Sequence, residues 1–333
     1  MLNKDERMIN YIEDFFCKYM MQQRNCSPET IASYRDAFNL FLAFLQKTQK
    51  TLPQNIVISD FSSKNVLNFL DYLESCRMNK TGTRNSRLTA LRTFIKYITM
   101  RTPLLTVKVQ AILTIPIKKS WSFALEYLAG DEIRSVLNSI DQNTWSGKRD
   151  HALFALMYNT GARVSEAINL TVSNFKLLNS GTVHLLGKGR KERTLPLWKS
   201  TTKELANWIN FNGFPKNGMV FPNAKGQQIT RSGVIKRLKE IVKCAAQNCP
   251  SLAGRRITPH TLRHTTAMHL LESGVDITVI AMWLGHENIQ TTHGYITANM
   301  ALKEKALSSL QEPKQKSFRY HPSDKLLAFL NQL

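Results

Sequence analysis

The spacing of apolar residues restricts the first part of the chain to a helical fold. Ser27 and Pro28 are the residue types typical of a helix N-cap and a first helical position. The apolar residues that follow recur every three or four positions, at Ile31, Tyr34, Phe38, Phe41 and Leu45. This spacing places them on one helical face. Similar patterns predict helices from about 63 to 76 and from about 81 to 98. The sequence therefore predicts a helical N-terminal domain over residues 1–105.

The stretch from 106 to 121 breaks this periodicity and contains Pro116. Because proline disfavours a helical conformation in the residue before it, we predict an interdomain linker here. Residues 122–312 are then expected to form a second domain, and 313–333 a C-terminal tail. Two roles stay open for the tail, which are capping its own domain and docking on a neighbouring protomer.

The second domain has a mixed pattern, so the predicted fold class is mainly α with a small β-sheet. Two short segments, 182–186 and 193–197, flank a turn rich in glycine and lysine, which is typical of a β-hairpin. A further short strand is predicted at 220–221. Helical periodicity predicts helices near 131–140, 149–159, 164–170, 201–211, 230–247, 261–273, 276–284 and 299–310.

The charge balance points to a polyanionic partner. The chain carries 45 Lys and Arg residues against 24 Asp and Glu, a net charge of +21, and nucleic acid is the leading interpretation. An anionic membrane surface is the alternative, but neither a basic amphipathic helix nor a lipidation site is evident. The N-terminus lacks the apolar core of a signal peptide, and the five cysteines have irregular spacing. We therefore expect free thiols and a cytoplasmic location.

The predicted helix after residue 81 carries basic side chains beside its apolar face. These are Arg84, Arg87, Arg92 and Lys96. A solvated charged face and contact with nucleic-acid phosphates are both open, and the basic excess of the whole chain favours the second. Arg190, in the hairpin turn, is a further candidate for DNA binding.

Two arginines stand in motifs suited to holding a phosphate. Arg163 lies in Thr160-Gly-Ala-Arg-Val-Ser-Glu, and Arg263 lies three residues after His260. A guanidinium presents a rigid fork of donors, and two such groups can stabilise the charge that grows in a pentacovalent transition state. A surface salt bridge is the alternative for either arginine alone. His260 can share a helical face with Arg263, which suits it to acid–base chemistry.

Lys188, His286 and Tyr295 complete the catalytic candidates. Lys188 lies at the predicted hairpin tip, from which a flexible ammonium can donate a proton to a bound nucleic acid. His286 closes a predicted helix, where capping or packing is the alternative. Tyr295 follows nine residues later. A phenol becomes nucleophilic when a base or nearby cations favour the phenolate, and the arginines and histidines upstream provide both.

His260 and His264 also have a spacing that suits zinc. The general base of a His-Glu-x-x-His metalloprotease is missing from the sequence, and a third ligand cluster is not evident, so we expect no metal and no other cofactor. His264 and His269 are expected to pack or to form hydrogen bonds. The hairpin turn lacks the pattern of a P-loop, so we do not expect nucleotide hydrolysis.

In order and approximate spacing, these residues resemble the catalytic set of the tyrosine recombinase, or phage integrase, family. The motifs that contain them are similar to those of Xer-like bacterial members, over about 121–310. Residues 8–100 resemble the helical, SAM-like core-binding domain of the family, through the motif Ser-Pro-x-Thr-x-x-x-Tyr and the late basic helix. The sequence departs from the family pattern at Gly294 and in its tail.

The resemblance implies a role for each candidate: Tyr295 as nucleophile in a 3′-phosphotyrosyl link, Arg163 and Arg263 as phosphate ligands, Lys188 as leaving-group acid, His260 as aid to proton removal, His286 as phosphoryl contact and Glu166 as acidic support. It also implies that neither ATP nor a metal is needed, because the phosphotyrosine conserves the bond energy. Strand exchange is expected to need double-stranded DNA with inverted-repeat core sites and a homo-tetramer that assembles from monomers or weak oligomers. An accessory DNA-bending protein and a second recombinase are further candidate partners.

Four functions are compatible with these features. The first is a site-specific recombinase that acts as the integrase or transposase of a mobile element, in the bacterial cytoplasm and at the nucleoid. The second is a chromosome-dimer resolvase of the Xer type, and the third is a type IB topoisomerase. The fourth is a catalytically idle DNA-binding regulator, against which the retained catalytic candidates argue.

Overall fold

The computed structural model describes residues 8–50, 52–102, 109–119, 126–178, 181–187 and 191–286. The chain divides into two compact units, Met1–Ser122 and Phe123–Leu333. Three candidates, Lys188, Arg190 and Tyr295, lie outside the described residues, as do the predicted helix 299–310 and the tail 313–333. None of the described helices is both long enough and apolar enough to cross a membrane.

The described part of the first unit is helical, which confirms the predicted fold of this region. Its helices are α1 (Met8–Asp14), which continues into a π-helix (Phe15–Gln23), α2 (Pro28–Gln49), α3 (Ser63–Ser75) and α4 (Thr81–Arg101). Short 3₁₀ turns lie at Pro53–Asn55, Ile58–Asp60 and Gln110–Thr114. Ser27 is the N-cap of α2, since its side chain accepts a hydrogen bond from the Thr30 main-chain nitrogen at 3.3 Å.

Packed aromatic rings join three of these elements. The ring centroid of Phe94, on α4, lies 5.2 Å from that of Phe15 and 5.1 Å from that of Phe38 on α2, and both pairs are edge-to-face. All three side chains are buried. Such pairs contribute about 0.5–1.5 kcal/mol each beyond the burial of their area.

The 3₁₀ turn Gln110–Thr114 packs on α3 and α4, within the stretch that the sequence assigns to a linker over 106–121. Val109, Ile112 and Ile115 are buried in the core of the first unit. Their three-residue spacing matches one turn of a 3₁₀ helix, so they share one face. This part of the stretch is a structural element of the first unit, and it covers one flank of α4.

The packing of this 3₁₀ segment against α4 bears on two of the four DNA-binding candidates on that helix. Arg84 is 4% exposed and donates from Nη1 to the carbonyl of Pro116 at 3.3 Å. Arg92 donates to the carbonyl of Leu113. Both side chains are therefore engaged by the returning chain, and their contacts with phosphates stay a prediction. Arg87 is half-buried and Lys96 is exposed.

The second unit combines helices with a small sheet, as the sequence predicts. The helices are α5 (Gly130–Asn138), α6 (Trp145–Thr160), α7 (Val164–Ala167), α8 (Lys199–Asn212), α9 (Arg231–Ala245), α10 (Pro259–Glu272) and α11 (Ile277–Leu284). Further 3₁₀ turns lie at Val172–Asn174 and Pro250–Leu252. The fold class, mainly α with a small β-sheet, is confirmed.

The sheet consists, in the described part of the chain, of β1 (Phe175–Lys176), β2 (Thr182–Leu186) and β3 (Glu192–Pro196), in that spatial order and antiparallel. Strands β2 and β3 form the predicted hairpin, with His184 opposite Thr194. The predicted strand at 220–221 is wrong. Val220 there uses its main-chain nitrogen to bind the carbonyl of Leu170, and only isolated bridges flank it.

Helix α6 runs through the core of the second unit and packs against α10. Leu153 and Leu156 on α6 and Leu262 on α10 are fully buried. Thr266 on α10 donates from its hydroxyl to the carbonyl of Tyr158 at 2.6 Å. This contact fixes the C-terminal part of α6 against α10. Arg163 follows the end of α6 and Arg263 lies on α10, so the contact also relates the two candidate phosphate ligands.

Candidate active site

The C-terminal end of α11 is surrounded by arginine side chains. Three successive main-chain carbonyls each accept a hydrogen bond from a different arginine: Trp283 from Arg193 Nε at 2.9 Å, Leu284 from Arg263 Nη2 at 2.7 Å, and Gly285 from Arg163 Nη2 at 3.3 Å. The last carbonyls of a helix have no partner within the helix and lie at the negative end of its dipole. This helix end therefore gathers three guanidinium groups.

Arg263 joins the ends of two helices. It is 3% exposed, and its Nη1 donates to the carbonyl of Gly161 at 2.7 Å, just after α6. Gly161 has φ +61°, in the left-handed region that favours glycine. A Cβ there would lie 2.5 Å from the Leu284 side chain. Glycine is needed at this position both for its backbone conformation and for the close approach of α11.

Glu166 ties Arg163 to Arg193. It accepts from the Arg163 main-chain nitrogen at 2.9 Å and from Arg163 Nη1 at 2.8 Å. It also accepts from Arg193 Nη1 at 3.2 Å and Nη2 at 2.7 Å. Burial raises the pKa of the Glu166 carboxyl, but the hydrogen bonds and charge of Arg193, with the hydrogen bonds of Arg163, outweigh it and hold the pKa below its usual value. Glu166 is therefore an ionised anchor between two arginines.

Three histidines share this positive environment. The rings of His260 and His264 are stacked with centroids 5.9 Å apart, and His286 follows the Gly285 cap of α11. Burial, with the charges of Arg263 and Arg163, lowers the pKa of His260 below its usual value. Burial and the neighbouring His260 and Arg263 lower the pKa of His264 to about 4. Burial and the arginines lower the pKa of His286 to about 4.

Neutral imidazoles beside fixed cations suit a phosphodiester. At neutral pH the positive charge of the site is carried by guanidinium groups, which do not lose their protons. His260 and His286 remain neutral and retain a ring nitrogen that can accept a proton. The arrangement can therefore hold an anionic phosphoryl group and take up a proton from an attacking hydroxyl.

The structure brings several of the sequence candidates together. Arg163 and Arg263 both contact the end of α11. The charges of these arginines reach both His260 and His286. Glu166 binds Arg163 directly. Arg163 has a side chain that is 31% exposed, whereas Arg263 is buried, so the two differ in their access to solvent.

Arg193 is the residue of this site to which the sequence analysis assigns no role. It lies in the motif Gly-Lys-Gly-Arg-Lys-Glu-Arg, where a run of basic residues makes any one of them look like solvated charge. Its side chain is only 10% exposed. The signal in the sequence is its place in the predicted strand 193–197, where alternate side chains lie on the same face and can turn towards the protein.

Tyr158 and His269 form a separate pair. The Tyr158 hydroxyl lies 2.8 Å from His269 Nδ1, and Tyr127 packs edge-on against the same imidazole. Burial raises the pKa of Tyr158, which keeps its phenol protonated. His269 is thus hydrogen-bonded, as expected. Among the described residues, histidines, cysteines and carboxylates do not assemble into a group of three that could hold a metal ion.

Two family models match the chain and together cover both units. One, described as the phage integrase family, matches residues 126–301, which is more than half of the chain. The other, the N-terminal SAM-like domain of phage integrases, matches residues 13–102. The site described above lies within the first of these two matches.

Relatives and solved structures agree with this assignment. The chain is 39% identical over 332 residues to the integrase/recombinase y4rC of Sinorhizobium fredii, with full coverage of both chains. It is 30% identical to the tyrosine recombinase XerC of Staphylococcus aureus, over 93% of this chain and 99% of XerC. The fold resembles that of the Tn1549 transposon integrase in complex with transposon right end DNA, with a TM-score of 0.70 and 14% identity over 89% of this chain and 98% of the other. The chain belongs to the phage integrase family of tyrosine recombinases, enzymes that cleave and rejoin DNA.

Proposed function

We propose that the chain is a site-specific DNA recombinase, the integrase or transposase of a mobile element, which cuts and rejoins DNA through a 3′-phosphotyrosyl intermediate. The observation that carries this proposal is the convergence of Arg163 and Arg263 on the end of α11, with three neutral histidines beside them. Two fixed guanidinium groups and a neutral base suit phosphoryl transfer to a hydroxyl nucleophile. The similarity to y4rC, which extends over the full length of both chains, supports an integrase or recombinase role.

In the proposed reaction, the hydroxyl of Tyr295 attacks the scissile phosphorus and its proton passes to His260. The bond between Tyr295 Oη and phosphorus forms while the bond from phosphorus to the 5′ oxygen breaks. Lys188 protonates that leaving oxygen. Attack by a 5′ hydroxyl on the phosphotyrosine reverses these steps and rejoins the strand, so that neither ATP nor a metal is needed.

Arg163 and Arg263 bind the non-bridging oxygens in this scheme, and His286 contacts the phosphoryl group. Glu166 supports the site by holding Arg163. Removal of one preorganised donor to a developing oxyanion costs about 10²–10³ in rate in other enzymes. Because Arg263 is buried and held by two carbonyls, its guanidinium is already in place before substrate arrives, which avoids a reorganisation cost.

Contacts with the DNA backbone are proposed for Arg87 and Lys96 of α4 and for Arg190. Arg87 Nη1 is a buried donor with no hydrogen-bond partner among the described residues. Burial and the charge of Arg77 lower the pKa of Arg87, and an anionic ligand would offset both effects. Lys96 is exposed and can meet a phosphate without rearrangement.

The proposed assembly is a homo-tetramer on two duplexes that each carry an inverted-repeat core site, formed from monomers or weak oligomers. A DNA-bending protein or a second recombinase is proposed as an accessory partner. The proposed place of action is the bacterial cytoplasm, at the nucleoid. We further propose a domain division into 1–105, a linker over 106–121, 122–312 and a tail over 313–333. Within the proposed linker, Val109, Ile112 and Ile115 pack into the core of the first unit.

A chromosome-dimer resolvase of the Xer type is the second candidate function. The alignment with XerC, over 99% of that protein, favours it. The chemistry would be the same, and only the DNA site would differ. A type IB topoisomerase is a third candidate, which would relax supercoils without a specific site; the match of residues 13–102 to the SAM-like domain of phage integrases argues against it.

A plasmid assay separates a site-specific recombinase from a topoisomerase. Duplexes bound by the protein are selected from a random-sequence library, and two copies of the selected site are placed on one supercoiled plasmid in buffer with EDTA. We expect deletion or inversion between the sites, and none on a plasmid with scrambled sites. Relaxation of both plasmids alike would indicate a topoisomerase. A requirement for added metal would contradict the mechanism.

A further inference from the structure

We infer that Arg193 is a positioning residue for strand cleavage, which holds Arg163 and the end of α11 in their reactive places. The inference rests on the proposed recombinase function. Arg193 is assigned no substrate contact, since all three of its guanidinium nitrogens donate to protein groups, Glu166 and the Trp283 carbonyl. It acts through the groups that it holds.

The first link runs from Arg193 to Arg163 through one carboxylate. Glu166 takes two hydrogen bonds from the Arg193 guanidinium, at 2.7 and 3.2 Å, and one at 2.8 Å from Arg163 Nη1. Glu166 Oε1 accepts from both guanidinium groups. Without Arg193, the carboxylate would be free to rotate towards Arg163, and the Arg163 fork would shift with it.

The second link runs from Arg193 to the end of α11. Arg193 Nε donates to the carbonyl of Trp283 at 2.9 Å. The next two carbonyls, those of Leu284 and Gly285, receive Arg263 and Arg163. Any shift of this helix end therefore displaces the carbonyls that hold Arg263 and Arg163. It also moves His286, which follows Gly285 directly.

The shape of the guanidinium matters as much as its charge. Arg193 uses Nε for the carbonyl and both terminal nitrogens for Glu166, so one planar fork spans a helix end and a carboxylate. A lysine at this position has one nitrogen and cannot reproduce that planar arrangement. A Cβ at Gly285 would lie 3.0 Å from Arg193 Nη1, which shows how closely the chain passes over the guanidinium.

The test compares Arg193→Gln and Arg193→Lys with Arg255→Gln in the full-length protein. Arg255 is a matched control, because it also binds one glutamate with two hydrogen bonds and donates to a main-chain carbonyl, with Glu132 and Tyr127 as its partners. The substrate is a nicked duplex that carries a site selected with the wild-type protein. With the nicked duplex in excess, each active protomer is trapped once, so the burst amplitude reports the active fraction and the cleavage rate constant reports the site.

We expect Arg193→Gln to lower the cleavage rate constant by up to about 100-fold, the loss that a displacement of about 1 Å can cause. Its affinity for the duplex should stay within about twofold of wild type, since Arg193 binds protein groups rather than DNA phosphates. Arg193→Lys should recover only part of the rate, and Arg255→Gln should keep the wild-type rate constant. The pKa of His286 should rise in Arg193→Gln, because the charge of Arg193 contributes to its depression, and an NMR titration measures this.

Two results would overturn the inference. One is a wild-type rate constant in Arg193→Gln. The other is a loss of burst amplitude alone, in parallel with Arg255→Gln, which would mean that Arg193 serves only stability. The proposed function fails separately, since it predicts covalent cleavage by the wild-type protein whatever the variants do.

Discussion

Arg163 and Glu166 are joined twice. The carboxylate of Glu166 accepts from the main-chain nitrogen of Arg163 at 2.9 Å and from its Nη1 at 2.8 Å. The first bond caps the start of α7 and the second directs the guanidinium towards the end of α11. A four-residue helix thus sets the orientation of a side chain that the proposed reaction needs.

Glu166→Gln is expected to weaken both stability and cleavage. The variant leaves two buried or half-buried arginines without their anion, and removal of one partner of a buried pair costs about 3–5 kcal/mol. The free energy of unfolding should fall, and so should the cleavage rate constant of the molecules that remain folded. Urea denaturation and single-turnover cleavage measure the two effects.

Glu132→Gln is the control for that variant. Glu132 also accepts from the main-chain nitrogen three residues earlier and binds one arginine, Arg255. It should lose stability and keep its cleavage rate constant. Equal rate constants for the two variants would show that Glu166 has no influence on the reaction.

Gly285→Ala should slow cleavage more than its cost in stability suggests. Gly285 has φ +64°, where a side chain costs about 1–2 kcal/mol. Its new Cβ would also lie 3.0 Å from Arg193 Nη1. Gly213→Ala is the matched control, with φ +59° at the end of α8 and open space around its Cβ. Both variants should lose similar stability in thermal denaturation, and only Gly285→Ala should lose cleavage rate.

Acid should destabilise the second unit between about pH 6.5 and pH 4. The pKa values of His264 and His286 are about 4 in the folded protein, against an ordinary value of 6.5. The unfolded chain therefore binds protons in this range while the folded site does not, so stability present above pH 6.5 is lost as the pH falls. Urea titrations at pH 7.5, 6 and 5 measure the slope. His264→Gln should reduce it, and an unchanged slope would contradict the assigned pKa.

Two basic residues of α4 are expected to behave differently. Arg84→Gln removes a buried donor to Pro116 and should lower the stability of the first unit while the salt dependence of DNA binding stays unchanged. Lys96→Gln should leave stability intact. It should reduce the slope of log affinity against log salt by about 0.9, the value for one lost phosphate contact on duplex DNA. A reduced slope in Arg84→Gln would contradict the structural role of Arg84.

The sequence predicts well what local patterns determine. The Ser27 cap, the hairpin that contains His184, and the start and end of α11 follow from residue types within a few positions of each other. The candidate phosphate ligands Arg163 and Arg263 are also identifiable, because they lie in motifs that resemble those of the family.

Arg193 and Arg84 show where prediction from the sequence stops. The partners of Arg193 are 27 and 90 positions away along the chain, and one of them is a main-chain carbonyl that leaves no trace in residue type. Arg84 is charged, and a charged residue is ordinarily expected at the surface. Its burial depends on the chain near Pro116, 32 positions later, which packs back on α4. Such contacts are set by tertiary packing rather than by local propensity.

Trapping the covalent intermediate shows which residue is the nucleophile. A nicked duplex with a selected site is incubated with the wild-type protein, and the trapped DNA-linked peptide is sequenced by mass spectrometry. We predict an adduct on Tyr295 at the 3′ phosphate, formed in EDTA, and DNA binding without any adduct for Tyr295→Phe. An adduct on Tyr158 or Tyr320, or cleavage by Tyr295→Phe, would contradict the account.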